Sequence, residues 1–390
     1  MTRLEDRYRA LSRAQGRDLW PDISTREPRA DAGTANPRGR RALVAVLALV
    51  VAGAGLGLVV RAFQQQTRST DSASNDARLE IDARLVARLP IVPRGTGTAL
   101  FAAGGSVWVT AFSIEAELPQ FVRRIDPSRE RIVATIPLDG IPEWERGGGG
   151  VAFGEDALWV TGTAGLTLEG ILQRIDPATN EVVATIPLNG TRGADVAVNA
   201  AGVWVASFFD PPSEGRAELA RIDPATNKIV ARIPLAHDFI RRVVALPGAV
   251  VVEEWGDLGT VLEVIDPQAD RVAATSESEA WQTDGGQILL VSDQVWATLD
   301  GGFSPVDLST GGPTGAAIGQ GVPLRCVCTS SRGGIWLVDG RELTWFDTRT
   351  GQVTPALALS GLSSVVTAAA TEDSVWLLSL NGELIRVDLE

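Results

Sequence analysis

A fifteen-residue stretch, R-I-D-P-A-T-N-E-V-V-A-T-I-P-L at 174–188, recurs with few changes at 124–138 and 221–235. Shorter relatives of this stretch continue to the C-terminus, and each keeps one aspartate in the same register. Repetition at a period of about 20–50 residues is typical of solenoids, propellers and arrays, so this repeat limits the possible folds more than any other feature. The seven register aspartates are Asp126, Asp176, Asp223, Asp266, Asp307, Asp347 and Asp388, spaced 50, 47, 43, 41, 40 and 41 residues apart.

The composition of each repeat predicts four β-strands, because Val, Ile, Trp and Thr are abundant and no helical period is present. In the third copy the predicted strands cover 195–199, 202–208, 219–223 and 228–234. The D-P-A-T-N sequence between the last two strands predicts a tight turn. Four strands in about 40 residues are typical of a propeller blade, and a β-solenoid is the alternative. We predict an all-β, seven-bladed β-propeller.

A second marker, V-W or a variant of it, precedes each aspartate on the predicted second strand. Because it recurs once per repeat in one register, we expect these side chains to pack between neighbouring sheets rather than to bind a ligand. The marker residues are Trp108, Trp159, Trp204, Val251, Trp296, Trp336 and Trp376.

The last repeat stops at residue 390, where its fourth strand should begin. The segment R-L-V-A-R-L-P-I at 84–91 resembles R-I-V-A-T-I-P-L, the fourth strand of the first repeat. We therefore expect 84–91 to pair with 384–388 and to complete the seventh blade, three C-terminal strands plus one N-terminal strand, since an unpaired edge would otherwise remain.

The chain before the repeats divides into three segments. Residues 1–41 are polar and rich in arginine, and residues 42–60 form an uncharged apolar stretch long enough for one transmembrane helix. Arginines concentrate before that helix, which predicts a cytoplasmic N-terminus and an extracytoplasmic propeller at 78–390. A cleaved signal peptide is the alternative, although its charged leader would be long. Residues 61–77 form a polar stalk, expected to be flexible.

The charge of the chain argues against nucleic acid as a partner. Residues 1–60 carry 10 arginines and 6 acidic residues, whereas the remainder carries 25 basic and 42 acidic residues. A protein that binds a nucleic-acid backbone needs a basic surface, and this predicted propeller is strongly acidic.

Long connections between strands two and three, and links between blades, emerge on one face of a propeller. Here they carry aromatic and acidic side chains, which suit an apolar or saccharide-like ligand. The alternative is that each aromatic fills the gap between its own blades. The predicted ligand-face residues are Trp144, Phe208, Phe209, Asp210, Asp238, Phe239, Glu254, Trp255, Trp281 and Asp284.

His237, the single histidine of the chain, lies in the link 236–239 and is the candidate catalytic base. Cys326 and Cys328 are two residues apart on a predicted strand, compatible with two reduced thiols or with a strained disulfide. The sequence has no Walker loop, C-x-x-C, G-x-S-x-G or H-E-x-x-H pattern, and we predict no metal or cofactor.

The I-D-P-A-T-N repeats with V-W-V strands resemble the bacterial YVTN (YncE-like) propeller proteins and, more distantly, streptogramin lyase. The resemblance covers about 78–390. It implies either an extracytoplasmic module that binds an envelope ligand or protein, or a lyase. The lyase family uses a histidine, acidic and basic helpers, and magnesium to open a macrolactone. In this chain only His237 matches that histidine, and Lys228 falls on a turn of the opposite face.

Overall fold

The computed structural model of the 390-residue chain describes residues 83–92, 97–111, 120–142, 150–164, 169–188, 192–208, 216–256, 259–277, 288–299, 302–319, 327–338, 342–359, 362 and 364–389. The predicted N-terminal tail, transmembrane helix and stalk lie outside these residues. In the described part of the chain, no helix is long and apolar enough to cross a membrane.

Seven antiparallel sheets form in the described residues. Blade 1 contains β2 (Gly97–Ala103), β3 (Ser106–Ala111), β4 (Phe121–Asp126) and β5 (Arg131–Pro137). Blade 2 contains β6 (Gly140–Pro142), β7 (Val151–Gly154), β8 (Ala157–Ala164), β9 (Gly170–Asp176) and β10 (Glu181–Pro187). Blade 3 contains β11 (Arg192–Asn199), β12 (Gly202–Phe208), β13 (Glu218–Asp223) and β14 (Lys228–Pro234). Blade 4 contains β15 (Ile240–Leu246), β16 (Ala249–Gly256), β17 (Gly259–Asp266) and β18 (Arg271–Glu277).

The remaining blades follow the same order with local differences. Blade 5 contains β19 (Ile288–Val291), β20 (Gln294–Leu299) and β21 (Gly302–Pro305). Blade 6 contains β22 (Val327–Ser331), β23 (Gly334–Val338), β24 (Glu342–Asp347) and β25 (Val353–Ala358). Blade 7 contains β26 (Val365–Ala370), β27 (Ser374–Ser379), β28 (Glu383–Leu389) and, as its outermost strand, β1 (Ala83–Pro90).

The innermost strands of all seven blades surround one central cavity of about 340 Å³. A shared cavity of this kind places the sheets radially around one axis, so the architecture is the predicted seven-bladed β-propeller. Its lining includes one residue from each innermost strand: Leu100, Val151, Val196, Val244, Leu289, Thr329 and Ala368.

Seven apolar clusters fill the gaps between neighbouring blades, and each contains one of the V-W marker residues. Trp204 of blade 3, for example, packs with Val250 of blade 4, and Trp376 of blade 7 packs with Val107 of blade 1. The predicted packing role of the markers is therefore confirmed. All are at most 5% exposed.

Strand β1 pairs antiparallel with β28, with Arg84 opposite Asp388 and Leu89 opposite Leu384. The backbone amides of Ile91 and Val92 then donate to the carbonyl oxygen of Gly382. Ile91 is 2% exposed and belongs to the apolar cluster between blades 7 and 1. The N-terminal end of the described chain therefore lies beside its C-terminal strand.

An arginine on the third strand connects several blades to the next one. The Arg174 guanidinium stacks 5.2 Å from the ring centre of Trp159 and donates to the carbonyl of Pro224 at 2.5 Å and to Oδ1 of Asn227 at 3.0 Å. We call this arrangement the arginine latch. Arg124 forms it with Pro177 and Asn180, Arg221 with Asp270, and Arg386 with Pro127 and Glu130.

Each latch acceptor belongs to a tight D-P turn. Asn180, Asn227, Asp270 and Glu130 all have positive φ, between 50° and 59°. Glycine takes this turn position in blades 5 and 6 (Gly311 and Gly351), where it provides no side-chain acceptor. The preceding blades 4 and 5 carry Val264 and Pro305 in place of the arginine, so both members of the latch are changed together.

Two sheets differ from the four strands predicted for each repeat. Gly140–Pro142, predicted as a link, adds β6 to blade 2 by pairing with β8. Blade 5 has three strands among its described residues, and two isolated bridges, Phe303 with Ile318 and Val306 with Pro313, stand where a fourth would lie. The segment 307–319 contains four glycines and one proline, which disfavour a regular strand. Cys328 lies on β22, and Cys326 lies outside the described residues.

Candidate functional site

The best-defined candidate site lies where the link 235–239 passes from blade 3 to blade 4. It brings His237, Asp238 and Phe239 next to Glu254 and Trp255 at the end of β16. Phe208, at the end of β12, also reaches this place. Five other predicted ligand-face residues lie outside the described part of the chain: Trp144, Phe209, Asp210, Trp281 and Asp284.

Glu254 forms a buried carboxyl pair with Glu263 of β17. Val252 is directly opposite Glu263, and Glu254 follows two residues later, so both carboxyl groups lie on the same side of the sheet. That side faces blade 3, because Val250 and Val252 pack there with Trp204. Glu254 is 0% exposed, so the structure places this predicted ligand-face residue in the interior between blades 3 and 4.

The Glu254 carboxyl group has a strongly raised pKa. Burial, reinforced by the neighbouring Glu263 carboxyl, raises the pKa of Glu254 to about 9. Its Oε1 is buried, and two close negative charges in such a site would repel strongly. Glu254 is therefore a neutral acid at neutral pH.

This carboxyl pair holds the link in place. The backbone amide of His237 donates to Oε2 of Glu254 at 2.7 Å, and the amide of Ala236 donates to Oε2 of Glu263 at 3.3 Å. Thr275 on β18 donates its hydroxyl to the other oxygen of Glu263 at 3.1 Å. Blade 4 thus fixes the backbone position of His237 through the side chains of Glu254 and Glu263. The sequence did not predict that these two acids lie side by side.

The His237 imidazole lies beside Gly256 and Glu277. A Cβ atom placed on Gly256 would be 3.1 Å from Cε1 of His237 and 3.0 Å from Oε1 of Glu277. The absence of a side chain at 256 therefore leaves room for both groups. In the described residues no three His, Cys, Asp or Glu side chains are arranged to hold a metal ion.

Three aromatic side chains lie close to the link 235–239. Phe239 is 43% exposed and Trp255 is 44% exposed, and the Trp255 amide donates to the Phe239 carbonyl at 2.8 Å. Phe208 lies with its ring centre 5.8 Å from that of Phe239 but is itself buried. Two of the three aromatics are thus available to a ligand, while Phe208 fills the gap between blades, as the alternative interpretation expected.

A second group of charges lies nearer the central cavity. Asp195 accepts hydrogen bonds from the amides of Gly150 at 2.6 Å and Val243 at 2.7 Å, which links blades 2, 3 and 4. Glu253 accepts from the amide of Ile288 at 3.1 Å, which links blades 4 and 5. Burial raises the pKa of both acids, and positive charge on Arg242 opposes the rise. Both acids connect neighbouring blades through these backbone amides, so their role is structural.

Sequence reasoning placed Glu253 near this region but did not identify Glu263, Glu277 and Arg241 as parts of it. The available signal was a charged residue inside an otherwise apolar strand, as in V-V-V-E-E-W-G and V-L-E-V-I-D. Strand alternation then separates Glu253 from Glu254, since successive residues point to opposite faces. The assignment of each face to a neighbouring blade, however, needs the three-dimensional arrangement.

Comparison with known proteins supports the fold. No protein-family profile and no curated protein sequence matches the chain. Solved structures do match it, and the likeness is one of fold. A catalytically inactive variant of virginiamycin B lyase from Staphylococcus aureus, crystallised with quinupristin, superposes with a TM-score of 0.59 at 12% identity, covering 80% of this chain and 100% of the lyase.

Two further structures give the same result. The selenomethionine form of the lyase superposes with a TM-score of 0.59 at 13% identity, covering 80% of this chain and 100% of that one. The WD40 β-propeller domain of Doa1 superposes with a TM-score of 0.57 at 11% identity, covering 78% and 97% of the two chains. Because an enzyme and a WD40 domain match equally well, function has to be argued from the site.

Proposed function

We propose that this protein is a membrane-tethered, extracytoplasmic binding module whose propeller presents the face around blades 3 and 4 to a ligand of the cell envelope. The observation that carries the proposal is the pair of exposed aromatics, Phe239 and Trp255, beside a link held by buried carboxyl groups. A rigid scaffold that displays aromatic side chains on its loops is a common design for binding sites.

The tether rests on the uncharged stretch 42–60 and on the arginines that precede it. Expression of the full chain with a C-terminal reporter that is active only outside the cytoplasm tests this part. We expect an active reporter and recovery of the chain in the membrane fraction after a carbonate wash. A chain recovered in the soluble fraction, or an inactive reporter, would contradict the tether without affecting the binding site.

Binding is tested with the full chain in detergent, labelled with 5-fluorotryptophan, so that substitution of Trp255 by phenylalanine assigns its fluorine signal. Titration uses separate saccharide, peptide and lipid-headgroup panels at up to millimolar concentration. We expect at least one class to shift the Trp255 signal, and Phe239→Ala to weaken that class about tenfold, or about 1.4 kcal/mol. No shift with any panel would overturn the proposal.

A lyase-type enzyme is the second candidate, favoured by the position of His237 beside the Glu277 carboxylate. A histidine and a carboxylate in this arrangement can abstract and hold a proton. Incubation of the full chain with a macrolactone panel, with magnesium supplied, tests it. Ring opening that disappears in His237→Ala supports the enzyme, whereas no ring opening by the native protein removes this candidate.

A further inference from the structure

The side of β16 opposite the carboxyl pair carries a second arrangement of side chains. Trp255 is directly paired with Thr260 of β17, so their side chains are neighbours on the face towards blade 5. The Arg241 guanidinium lies 5.6 Å from the centre of the Trp255 ring. Arg241, Trp255 and Thr260 therefore form one contiguous group, which we call the Trp255 platform.

Two donor atoms of this platform make no hydrogen bond. The Thr260 hydroxyl makes none although its residue is only 5% exposed. Arg241 Nη1 makes none either, and only a long ion pair of 3.5 Å joins it to Oε1 of Glu253. Buried polar groups in native proteins nearly always form hydrogen bonds, so two donors without one beside an exposed ring call for an explanation.

A ligand atom that accepts hydrogen bonds would satisfy both donors. The charge of the platform favours a neutral ligand, because Glu253 lies next to Arg241 and the chain beyond residue 60 carries 42 acidic against 25 basic residues. An anion would face this acidic field, and a purely apolar ligand would leave the donors unpaired. A ligand with an apolar face and several oxygen atoms fits both the ring and the donors.

We infer that the Trp255 platform is a subsite for a neutral sugar ring. The apolar face of a pyranose would lie on the exposed part of the Trp255 ring, and its hydroxyl or ring oxygens would accept from Arg241 and Thr260. This inference rests on the proposed binding function and names the ligand class for the blade 4 side of that face. Trp255 supplies most of the contact area, and the two donors supply orientation.

Isothermal titration of the full chain with cellotetraose and chitotetraose tests the subsite, with sodium sulfate as a parallel anion probe. We expect a tetrasaccharide to bind, Trp255→Ala to abolish binding, and Thr260→Val and Arg241→Met each to weaken it about fivefold to tenfold. Trp255→Phe retains an aromatic surface and should recover part of the affinity. Circular dichroism and thermal unfolding of each variant show whether it is folded.

Arg131→Met is the matched control, since Arg131 is exposed on the outer strand of blade 1, and it should leave sugar binding unchanged. Sugar binding that survives Trp255→Ala yet falls with His237→Ala overturns the subsite while leaving the proposed function intact. Binding of sulfate in preference to either sugar overturns the neutral-ligand assignment. If neither sugar binds but a peptide or a lipid headgroup shifts the Trp255 fluorine signal, the sugar assignment is wrong and the binding function stands.

Discussion

The arginine latch between blades 2 and 3 gives the sharpest quantitative prediction. Arg174→Met keeps much of the contact with Trp159 but removes the hydrogen bonds to the Pro224 carbonyl and to Asn227. A hydrogen bond that involves a charged group contributes about 1.5–3 kcal/mol, and the Arg174 side chain is partly exposed. The loss of the stacked cation adds about 0.5–1 kcal/mol. Partial exposure places both hydrogen bonds at the low end of that range, so we expect Arg174→Met to lower the free energy of unfolding by about 3.5–4 kcal/mol.

A double-mutant cycle isolates the latch from other effects. Asn227→Gly removes the side-chain acceptor while keeping the positive φ of 55°, a conformation that glycine adopts without strain. Because Asn227 receives one of the two hydrogen bonds, the coupling energy between the two substitutions should be about 1 kcal/mol. Urea unfolding, followed by tryptophan fluorescence and circular dichroism, supplies the four free energies.

Arg131→Met is the control, because Arg131 is exposed on the outer strand of blade 1. It should change the free energy of unfolding by no more than about 0.5 kcal/mol. A coupling energy near zero between positions 174 and 227, or an equal loss for Arg131→Met, would refute the latch as a stabilising contact.

Three further predictions follow from burial and charge. Because burial raises the pKa of Glu254, its contribution to stability is greatest at low pH and is lost as pH rises towards that pKa. Glu254→Gln should therefore flatten the decline in melting temperature between neutral pH and about pH 9. One proton changes the free energy of unfolding by at most about 1.4 kcal/mol per pH unit. Identical pH slopes in the native protein and the variant would show that Glu254 does not hold the proton. Ile91→Ala should lower the free energy of unfolding in urea by about 2–5 kcal/mol if the pairing of β1 with β28 keeps the ring closed. An unchanged urea midpoint would show that closure does not depend on Ile91. Trp204→Ala should cost about 3–5 kcal/mol, because the side chain is 0% exposed between blades 3 and 4, and a loss below 1 kcal/mol would argue against its packing role.

The repeat was sufficient to predict the blades, because each copy carries its own strand pattern and turn. The predicted strands 202–208 and 228–234 coincide with β12 and β14, and the marker tryptophans are buried as expected. Blade 5 could not be predicted in the same way, since its segment 307–319 keeps the register aspartate but loses the residues that favour a fourth strand. The register aspartate is therefore present in blade 5 although the residues after it form isolated bridges instead of a regular strand.

The candidate site was predicted less completely. The position of His237, Phe239 and Trp255 on one face follows from the order of strands and links, and the structure brings these residues together. The burial of Glu254 could not be read from its place near a strand end, because it depends on blade 3 covering that side of β16. The unpaired Thr260 hydroxyl depends likewise on how blade 5 lies against blade 4.

By itself, the amino-acid sequence determined the number of sheets, their strand composition, the turn chemistry and the residues that fill the gaps between blades. These properties are local, or they repeat with a period that one chain can display. Only the tertiary structure decided which blade each side chain faces, and therefore that Glu254 is buried beside Glu263 while its neighbour Trp255 is exposed. Contacts between blades depend on the distance and angle between sheets, which no single repeat encodes.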